Sequence, residues 1–226
     1  MNPKENAARK ALELIQSGMI LGLGTGSTAE RFVRALAEEV AKGLTVVGIP
    51  SSKETEELAI SLGIPLSTLE EHGKVDLTVD GADEVDPSFN LIKGLGGALV
   101  REKILASVSR GMAVIVDSSK LTDRLGSRSP VPVEVIPYGV APCRRKLEEM
   151  GASVALRLAG SAPFVTDNGN QVLDARFKQI PDPAGLESQI NDIPGVVGNG
   201  LFIGMADTVI VGTEEGATVK RKGDRG

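Results

Sequence analysis

Cysteine, histidine and aromatic residues are scarce in this chain of 226 residues, which has one cysteine, one histidine and no tryptophan. The lone Cys143 excludes an intrachain disulfide and a cysteine-rich metal site, and it fits a reducing compartment. The lone His72 excludes a multi-histidine metal site and disfavours a Ser-His-Asp mechanism. Disulfide scaffolds and histidine-based metalloenzymes are therefore set aside.

Long apolar runs and an excess of positive charge are also missing. No run approaches the roughly 20 residues that span a bilayer, and the charged start of the chain is not a signal peptide. The formal net charge is −5. Because phosphate neutralisation dominates nucleic-acid binding, this charge argues against nucleic acid as the main partner. We expect a cytoplasmic protein with neither a membrane nor a nucleic acid as its partner.

The first part of the chain alternates short apolar strands with helices. A helix is predicted from Pro3 to Gly18 with Asn2 as its N-cap, and Ser51 is predicted to cap another helix that ends near Gly63. The predicted strands of this part are 19–23, 44–49, 75–79 and 112–116. This alternation is typical of an α/β fold with a Rossmann-like, doubly wound, mostly parallel sheet.

From residue 130 onward the predicted order changes to β-α-β-β-α-β, the split pattern of a ferredoxin-like α+β domain. The all-apolar strand 208–211 suits a buried sheet, so it is expected to rejoin the first domain. We therefore predict that 1–129 and 204–226 form a Rossmann-like catalytic domain. Residues 130–203 are predicted to form an inserted ferredoxin-like domain.

Carboxylates follow the apolar strand 75–79 at the point where it leaves its sheet. Asp80 and Asp83 lie there, at the edge where open α/β sheets bind ligands, and a glycine-rich turn then feeds a helix. The acids are consistent with a hard-metal site, a set of sugar-hydroxyl acceptors or a solvated acidic turn, although their spacing fails the EF-hand pattern. Glu84 and Asp86 are interpreted as bystanders.

A second glycine loop, 24–28, lies between a predicted strand and an amphipathic helix. Its N–H groups and three hydroxyls can converge on an anion, with phosphate as the natural ligand. The loop fits neither the dinucleotide-binding fingerprint nor the P-loop. A plain tight turn in which Ser27 or Thr28 caps the helix is the alternative.

Glu102 has apolar residues at all four neighbouring helical positions, which are Ala98, Leu99, Leu105 and Ala106. A carboxylate on an apolar stripe tends towards a raised pKa, which suits a general base near neutral pH. An ion pair with Lys93 or Arg101 is the alternative. Lys93 and Lys120 each lie where a strand or loop reaches the same sheet edge, and each can neutralise a phosphate or an oxyanion.

Motifs spread over nearly the whole chain resemble the type A ribose-5-phosphate isomerase family. The matching segments are 24–28, 80–84, 93–99, 101–103, 117–120, 132–135, 166–170 and 193–197. Each segment alone is weak, but all of them in this order are highly specific. The resemblance implies an aldose–ketose isomerase that interconverts D-ribose 5-phosphate and D-ribulose 5-phosphate without a metal or cofactor. It also implies a role in the non-oxidative pentose phosphate pathway and a homodimer or homotetramer.

The resemblance further implies a role for each matching position. Glu102 would be the proton acceptor, and Asp80 and Asp83 would hold the sugar hydroxyls and assist ring opening. Lys93 would meet the oxygens at the reacting end, and Lys4 would have a phosphate role. The implied substrate-binding positions are Thr25, Gly26, Ser27, Thr28, Asp80, Gly81, Ala82, Asp83, Lys93, Gly94, Leu95, Gly96 and Lys120.

The chain departs from the family pattern at Leu95, where the family commonly has glycine. If this position needs a positive φ, leucine costs about 1–2 kcal/mol there. Two other functions stay open at this point: an amino-sugar-phosphate isomerase or deaminase, and a sugar-phosphate sensor. A sensor would not need Glu102 as a base, and it usually carries a DNA-binding or partner domain for which the chain has no spare length.

Overall fold

A computed structural model gives the fold, and it describes residues 2–223. The domain limits predicted at 1 and 226 lie outside these residues. The α-helices of the described part are α1 (Pro3–Ala11), α2 (Ser27–Ala41), α3 (Lys53–Ser61), α4 (Leu99–Ser107), α5 (Val140–Glu149) and α6 (Pro183–Asn191).

The strands of the described part are β1 (Ile20–Leu23), β2 (Val47–Pro50), β3 (Leu77–Asp80), β4 (Glu84–Val85), β5 (Leu91–Ile92), β6 (Met112–Asp117), β7 (Val131–Val135), β8 (Ala152–Leu156), β9 (Leu158–Ala159), β10 (Ala162–Pro163), β11 (Gln171–Phe177), β12 (Val196–Asn199), β13 (Leu201–Phe202), β14 (Thr208–Gly212) and β15 (Ala217–Arg221). By its contacts the chain divides into two units. The first comprises the residues up to Ala82, Arg101–Leu121, and the residues from Gly204 onward, and the second comprises Asp83–Val100 and Thr122–Ile203.

The first unit is built on a six-stranded sheet in the order β15-β14-β6-β3-β1-β2. Its pairs are parallel except for that of β15 with β14. Alanines of α1 and the apolar face of α2 pack on it, with Phe32, Val33 and Leu36 fully buried. Because the parallel strands run the same way, the loops after β1, β3 and β6 leave the sheet at one edge.

The second unit contains an antiparallel sheet in the order β12-β7-β11-β8, which is the strand order of a ferredoxin-like domain. The alternate residues Val131, Val133 and Val135 face the core, where they pack with Cys143 and Leu147 of α5. A small three-stranded sheet, β13-β5-β4, belongs to the same unit. The predicted fold class, a mostly parallel α/β sheet with an inserted α+β domain, is confirmed.

The limits of the units differ from the sequence-based division at 129 and 130. Residues 83–100 and 122–129 group with the second unit. The reason is a set of non-local contacts: the carboxylate of Glu84 accepts hydrogen bonds from the amides of Gly126, Arg128 and Ser129. Such contacts between distant segments cannot be read from local patterns.

Two predicted helix limits are wrong. Helix α1 ends at Ala11 and is followed by a 3-10 turn, so Gly18 lies in a later turn with a φ of 92°. The N-cap of α3 is Ser52, whose side chain accepts a hydrogen bond from the amide of Thr55. At the C-terminal end of the described part, residues 217–221 form β15, in which Lys220 and Arg221 are exposed. The charged side chains suit an edge strand.

Among residues 2–223, no helix has both the length and the apolar character that crossing a membrane requires.

Candidate active site

The glycine loop after β1 is shaped by a close approach of Asp80. A Cβ atom at Gly24 would lie 2.1 Å from Oδ1 of Asp80 and 2.6 Å from its Cα, so only glycine fits at this position. Gly26, the N-cap of α2, has a φ of 101°, which also favours glycine. The loop therefore needs both glycines for its turn, whatever it binds.

Asp80 anchors this loop from the end of the neighbouring strand β3. Its Oδ1 accepts hydrogen bonds from the amide of Thr25 at 3.1 Å and from the amide of Gly81 at 2.7 Å. The residue is fully buried. Asp80 thus fixes the glycine loop and the turn towards Ala82 at once, and its carboxylate has one defined orientation.

The hydroxyl of Thr25 is engaged by other side chains of the protein. Its Oγ1 donates to Oγ of Ser52 at 2.8 Å and lies 2.8 Å from Oγ of Ser51 and 3.2 Å from Oγ1 of Thr55. Thr55 in turn donates to the carbonyl oxygen of Gly24. The loop was expected to point three hydroxyls at an anion, but the hydroxyl of Thr25 instead belongs to this cluster.

Sequence reasoning missed Ser51, Ser52 and Thr55 as partners of the loop. Ser51 and Ser52 directly follow β2, the strand that pairs with β1. Their place at the same sheet edge as the glycine loop is a signal that could have been used.

The start of α2 has the features of an anion site. The N-cap Gly26 supplies no side chain to the helix, so the first amides of α2 lack a side-chain cap. Such amides, together with the helix dipole, favour a negative charge. Ser27 is exposed, Thr28 is largely buried, and Nζ of Lys4 donates to Oγ of Ser27 at 2.8 Å. A cation, a hydroxyl and uncapped amides therefore lie together here.

A second lysine is held at the end of β6. Asp117 caps the 3-10 turn Ser118–Lys120 by accepting a hydrogen bond from the amide of Ser119 at 2.9 Å. Burial raises the pKa of Asp117, but the hydrogen bonds from Ser119 and the positive charges of Lys120 and Lys4 outweigh it, so the pKa lies below its ordinary value. Both lysines therefore lie close enough to Asp117 to stabilise its charge.

Glu102 lies in the first turn of α4 and is buried, with 4% of its surface exposed. The four apolar neighbours predicted from the helical spacing are buried as well. Leu105, one turn further along, packs with Ile49 and Val75 in the core of the first unit. A carboxylate held in such surroundings is shielded from water, which suits a general base.

In the second unit, Asp83 meets the glycine-rich loop that follows β5. Its Oδ2 accepts a hydrogen bond from the amide of Leu95 at 3.0 Å. The loop closes on itself where the amide of Gly97 donates to the carbonyl oxygen of Gly94. Gly94 and Gly97 have positive φ values of 99° and 87°, whereas among the described residues Phe89 is the non-glycine residue with a positive φ. Leu95 therefore adopts no left-handed conformation, and the expected cost of leucine at this position does not arise.

Lys93 is buried immediately before this loop, with 2% of its surface exposed. Its Nζ lies 5.5 Å from the centre of the Phe202 ring, a cation–π distance. Its amide donates to the carbonyl oxygen of Gly200, where a Cβ atom would lie 2.2 Å from the carbonyl oxygen of Lys93. The lysine is thus held by its backbone and along its side chain.

The other two acids of the turn hold the structure together. Both carboxylate oxygens of Glu84 accept backbone amides, as described above. Oδ1 of Asp86 accepts hydrogen bonds from the amides of Ser88 and Asn90. These contacts give Glu84 and Asp86 structural roles. In the part of the chain that is described, no three His, Cys, Asp or Glu side chains are placed to hold a metal ion.

Comparison with known proteins shows the family of this chain. The model of the family described as ribose 5-phosphate isomerase A, or phosphoriboisomerase A, matches residues 47–216. The ribose-5-phosphate isomerase A of Gloeobacter violaceus is 54% identical over 217 residues, which cover 96% of this chain and 94% of the relative. This chain belongs to the ribose 5-phosphate isomerase A family. The enzyme of the same name from Methanothermobacter thermautotrophicus is 52% identical and covers 98% of both chains.

Solved structures of the ribose 5-phosphate isomerase A family share the fold. The structure of the isomerase from Methanocaldococcus jannaschii matches with a TM-score of 0.94 and 44% identity, covering 98% of this chain and 99% of the other. A D-ribose-5-phosphate isomerase in complex with phospho-erythronic acid matches with a TM-score of 0.94 and 42% identity, covering 98% of this chain and 100% of the other. The agreement spans both contact units.

Proposed function

We propose that this protein interconverts D-ribose 5-phosphate and D-ribulose 5-phosphate through an enediolate, with Glu102 as the general base. Membership of the isomerase family supports the substrate pair. The burial of Glu102, whose neighbouring helical positions are apolar, is the observation that carries its role. Aldose–ketose isomerisation moves a proton between adjacent carbons, so Glu102 removes the C2 proton of the open-chain aldose and returns it to C1.

The phosphate of the substrate is assigned to the start of α2. Uncapped helix amides, the hydroxyls of Ser27 and Thr28, and the ammonium groups of Lys4 and Lys120 supply the hydrogen bonds and the positive charge that a phosphate needs. Thr25 and Gly26 contribute through the shape of the loop and its backbone.

Asp80 and Asp83 are assigned to the sugar hydroxyls and to ring opening. One oxygen of Asp80 accepts hydrogen bonds from the amides of Thr25 and Gly81. One oxygen of Asp83 accepts a hydrogen bond from the amide of Leu95. These hydrogen bonds fix the orientation of the carboxylate before the substrate arrives, which is the preorganisation that catalysis needs. Gly81 and Ala82 connect the two acids in the chain.

Lys93 and the amides of the loop after it are assigned to the oxygens of the reacting end. The enediolate carries negative charge on these oxygens, and donors fixed in advance stabilise that charge more than water does. The buried ammonium of Lys93 and the amides of Gly94 and Gly96 are such donors, whereas the amide of Leu95 contributes by holding Asp83. The proposal includes no metal ion and no cofactor.

The resemblance also supports three finer parts of the proposal. They are a place in the non-oxidative pentose phosphate pathway, a cytoplasmic location, and assembly into a homodimer or homotetramer. Light scattering of the purified protein tests the last of these.

The decisive experiment follows the formation of ribulose 5-phosphate from ribose 5-phosphate after exhaustive EDTA treatment, for the wild type and for Glu102→Gln. We expect chelation to leave the wild-type rate unchanged. Loss of a general base costs about 10²–10⁴-fold, and we expect kcat of Glu102→Gln to fall by at least that much with the fold intact. Glu84→Gln is the matched control, since it makes the same change at a buried glutamate that is hydrogen-bonded to backbone amides. Its kcat per folded molecule is expected to stay near that of the wild type.

Each other result has a definite meaning. A near-normal kcat in Glu102→Gln removes Glu102 from the role of the base. Turnover of glucosamine 6-phosphate but not of ribose 5-phosphate indicates an amino-sugar-phosphate enzyme. Tight binding without turnover in the wild type indicates a sensor, and loss of activity with EDTA indicates a required metal.

Phospho-erythronic acid is a suitable binding probe for this chain. It is the ligand of one of the related structures, and we propose that it binds here as well. Its carboxylate shares a negative charge between two oxygens of one carbon and so resembles the anionic oxygens of the enediolate, which lie on neighbouring carbons. Its affinity therefore reports on the groups that stabilise the transition state.

A further inference from the structure

We propose that Arg157 is a positioning residue for the reaction, which orients the backbone amide of Leu95 towards Asp83 and the backbone amide of Gly96 towards the reacting end of the substrate. The proposal rests on the function proposed above, in which Asp83 holds the sugar hydroxyls and the amide of Gly96 meets the substrate oxygens. Arg157 belongs to none of the motifs that carry the family resemblance. It follows β8 directly in the chain, more than 60 residues after the loop on which it acts.

The side chain of Arg157 binds the loop at two points. Its Nη1 donates to the carbonyl oxygen of Gly94 at 2.9 Å and to the carbonyl oxygen of Leu95 at 2.9 Å. The side chain is 12% exposed. A single nitrogen of a buried guanidinium therefore holds two successive carbonyl groups.

The guanidinium itself is held in place by other residues of the second unit. Asp174 on β11 accepts a hydrogen bond from Nε at 3.0 Å and a second one from Nη2, which is a two-point carboxylate fork. Phe164 lies beside it, with its ring centre 5.9 Å from Cζ. Arg157 is thus fixed in its orientation before it meets the loop.

Holding a carbonyl group also sets the direction of an amide. In a trans peptide the C=O and N–H groups point in opposite directions, and no cis peptide occurs in the described residues. The carbonyl of Gly94 shares its peptide plane with the amide of Leu95, and the carbonyl of Leu95 shares its plane with the amide of Gly96. Arg157 therefore turns both amides to the side of the loop away from itself.

The amide of Leu95 shows the result, because it donates to Oδ2 of Asp83 at 3.0 Å. The amide of Gly96 belongs to the next peptide, and Gly96 is exposed. Arg157 thus connects the ferredoxin-like sheet to an acid and to an amide that the proposed mechanism uses.

The two peptides differ in how much they depend on Arg157. The peptide between Gly94 and Leu95 is also held by Asp83 and by the amide of Gly97, so the peptide between Leu95 and Gly96 depends more on Arg157. Gly94 and Gly96, on either side of Leu95, have no side chain that restricts their backbone. A peptide flanked by such residues rotates readily, so the arginine supplies the restraint.

The test compares Arg157→Met and Arg157→Lys with the control Arg176→Met. Arg176 lies on β11 in the same sheet and also donates to a backbone carbonyl, that of Arg128. For each variant, kcat and KM for ribose 5-phosphate are measured, and titration calorimetry gives the affinity and stoichiometry of phospho-erythronic acid.

A donor misplaced by about 1 Å costs roughly 100-fold, so we expect kcat of Arg157→Met to fall by about that factor. KM is expected to change by less than about threefold, because the interaction acts in the transition state. The affinity for phospho-erythronic acid falls in parallel, while the number of binding sites per chain stays that of the wild type. Arg157→Lys keeps a hydrogen-bond donor, so its kcat and its analogue affinity fall less than those of Arg157→Met. Arg176→Met keeps the kcat and the affinity of the wild type.

Two results would overturn the proposal: unchanged kcat and unchanged analogue affinity in Arg157→Met, or a loss of activity matched by a loss of binding sites at constant affinity. The second result would show that the substitution merely unfolds part of the protein. A wild type that binds phospho-erythronic acid but does not turn over ribose 5-phosphate refutes the proposed function instead. In that case the affinities still decide whether Arg157 positions the loop.

Discussion

Nζ of Lys4 donates a hydrogen bond to Oγ of Ser27, 2.8 Å away, across 23 positions of the chain. Lys4 lies in the first turn of α1, and Ser27 is the first residue of α2. Helix α1 thus contacts the N-terminus of α2, to which the substrate phosphate is assigned. This contact gives the family-based role of Lys4 a geometric basis.

We expect Lys4→Met to weaken substrate binding and leave the chemical step alone. A charged hydrogen-bond donor contributes about 1.5 kcal/mol or more, so KM for ribose 5-phosphate rises by at least about tenfold while kcat stays constant. Lys10→Met is the control, because Lys10 lies on the same helix and pairs with Glu13. Steady-state kinetics at constant ionic strength give the answer, and an unchanged KM would remove Lys4 from the phosphate site.

Leu95 is expected to be harmless where the family commonly has glycine. Its φ is not positive and its side chain is 42% exposed, so leucine introduces neither backbone strain nor a buried clash. Leu95→Gly should leave kcat within about twofold and lower the unfolding free energy by less than about 1 kcal/mol, through the greater freedom of the unfolded chain. Kinetics and urea unfolding test this expectation, which a large gain in kcat would contradict.

Asp117 is expected to make stability depend on pH in the acid range. Its pKa in the folded protein is lowered, so the charged form favours folding. This contribution is present above the pKa of the unfolded chain, about 3.9, and is lost as the pH falls through the lower pKa of the folded state. The urea midpoint of the wild type should therefore fall more between about pH 6 and pH 3 than that of Asp117→Asn.

The control Asp123→Asn changes an exposed carboxylate and should follow the wild type. Parallel curves for wild type and Asp117→Asn would rule out this role.

Glu134 is expected to be a stability residue. It is fully buried, and its Oε1 accepts hydrogen bonds from the side chains of Thr166, Asn168 and Asn170. Its Oε2 is buried without a hydrogen-bond partner in the described part of the chain. Glu134→Gln removes the charge that strengthens these bonds and buries an amide donor, so the unfolding free energy should fall by about 1–3 kcal/mol.

Urea unfolding measures this loss for Glu134→Gln. The control Glu148→Gln changes an exposed glutamate on α5 and should stay within about 0.5 kcal/mol of the wild type. Equal stability of the two variants would show that the buried cluster around Glu134 contributes nothing.

The layered architecture was predictable from local patterns. Alternating strands and helices implied the parallel sheet, and the apolar strand 208–211 implied the return to it, which the pairing of β14 with β6 confirms. Strand β15 was missed because it carries the exposed basic residues Lys220 and Arg221, and charged edge strands look like loops in a sequence. The cap of α3 is Ser52, whose side chain accepts the amide of Thr55, and the neighbouring Ser51 made the sequence pattern ambiguous by one residue.

The sequence predicted which residues belong to the candidate site, but it predicted their hydrogen bonds less well. Spacing on α4 correctly indicated that Glu102 and its apolar neighbours are buried. The hydroxyl of Thr25 and the carboxylate of Asp80 are committed to hydrogen bonds with the protein, which no motif reveals. The same holds for Glu134 and the turn 166–170, which the sequence presents as two unrelated matches. Arg157 was missed because a single arginine beyond the motifs carries no pattern.

The core position of Cys143 offers a use beyond structure. It is fully buried, it donates to the carbonyl oxygen of Pro194, and burial raises the pKa of its thiol. Thiolate, the form that reacts with disulfide reagents, is therefore scarce and shielded in the native protein. Because the chain has one cysteine, the rate at which a thiol reagent labels Cys143 measures how often the ferredoxin-like core opens, without an engineered probe.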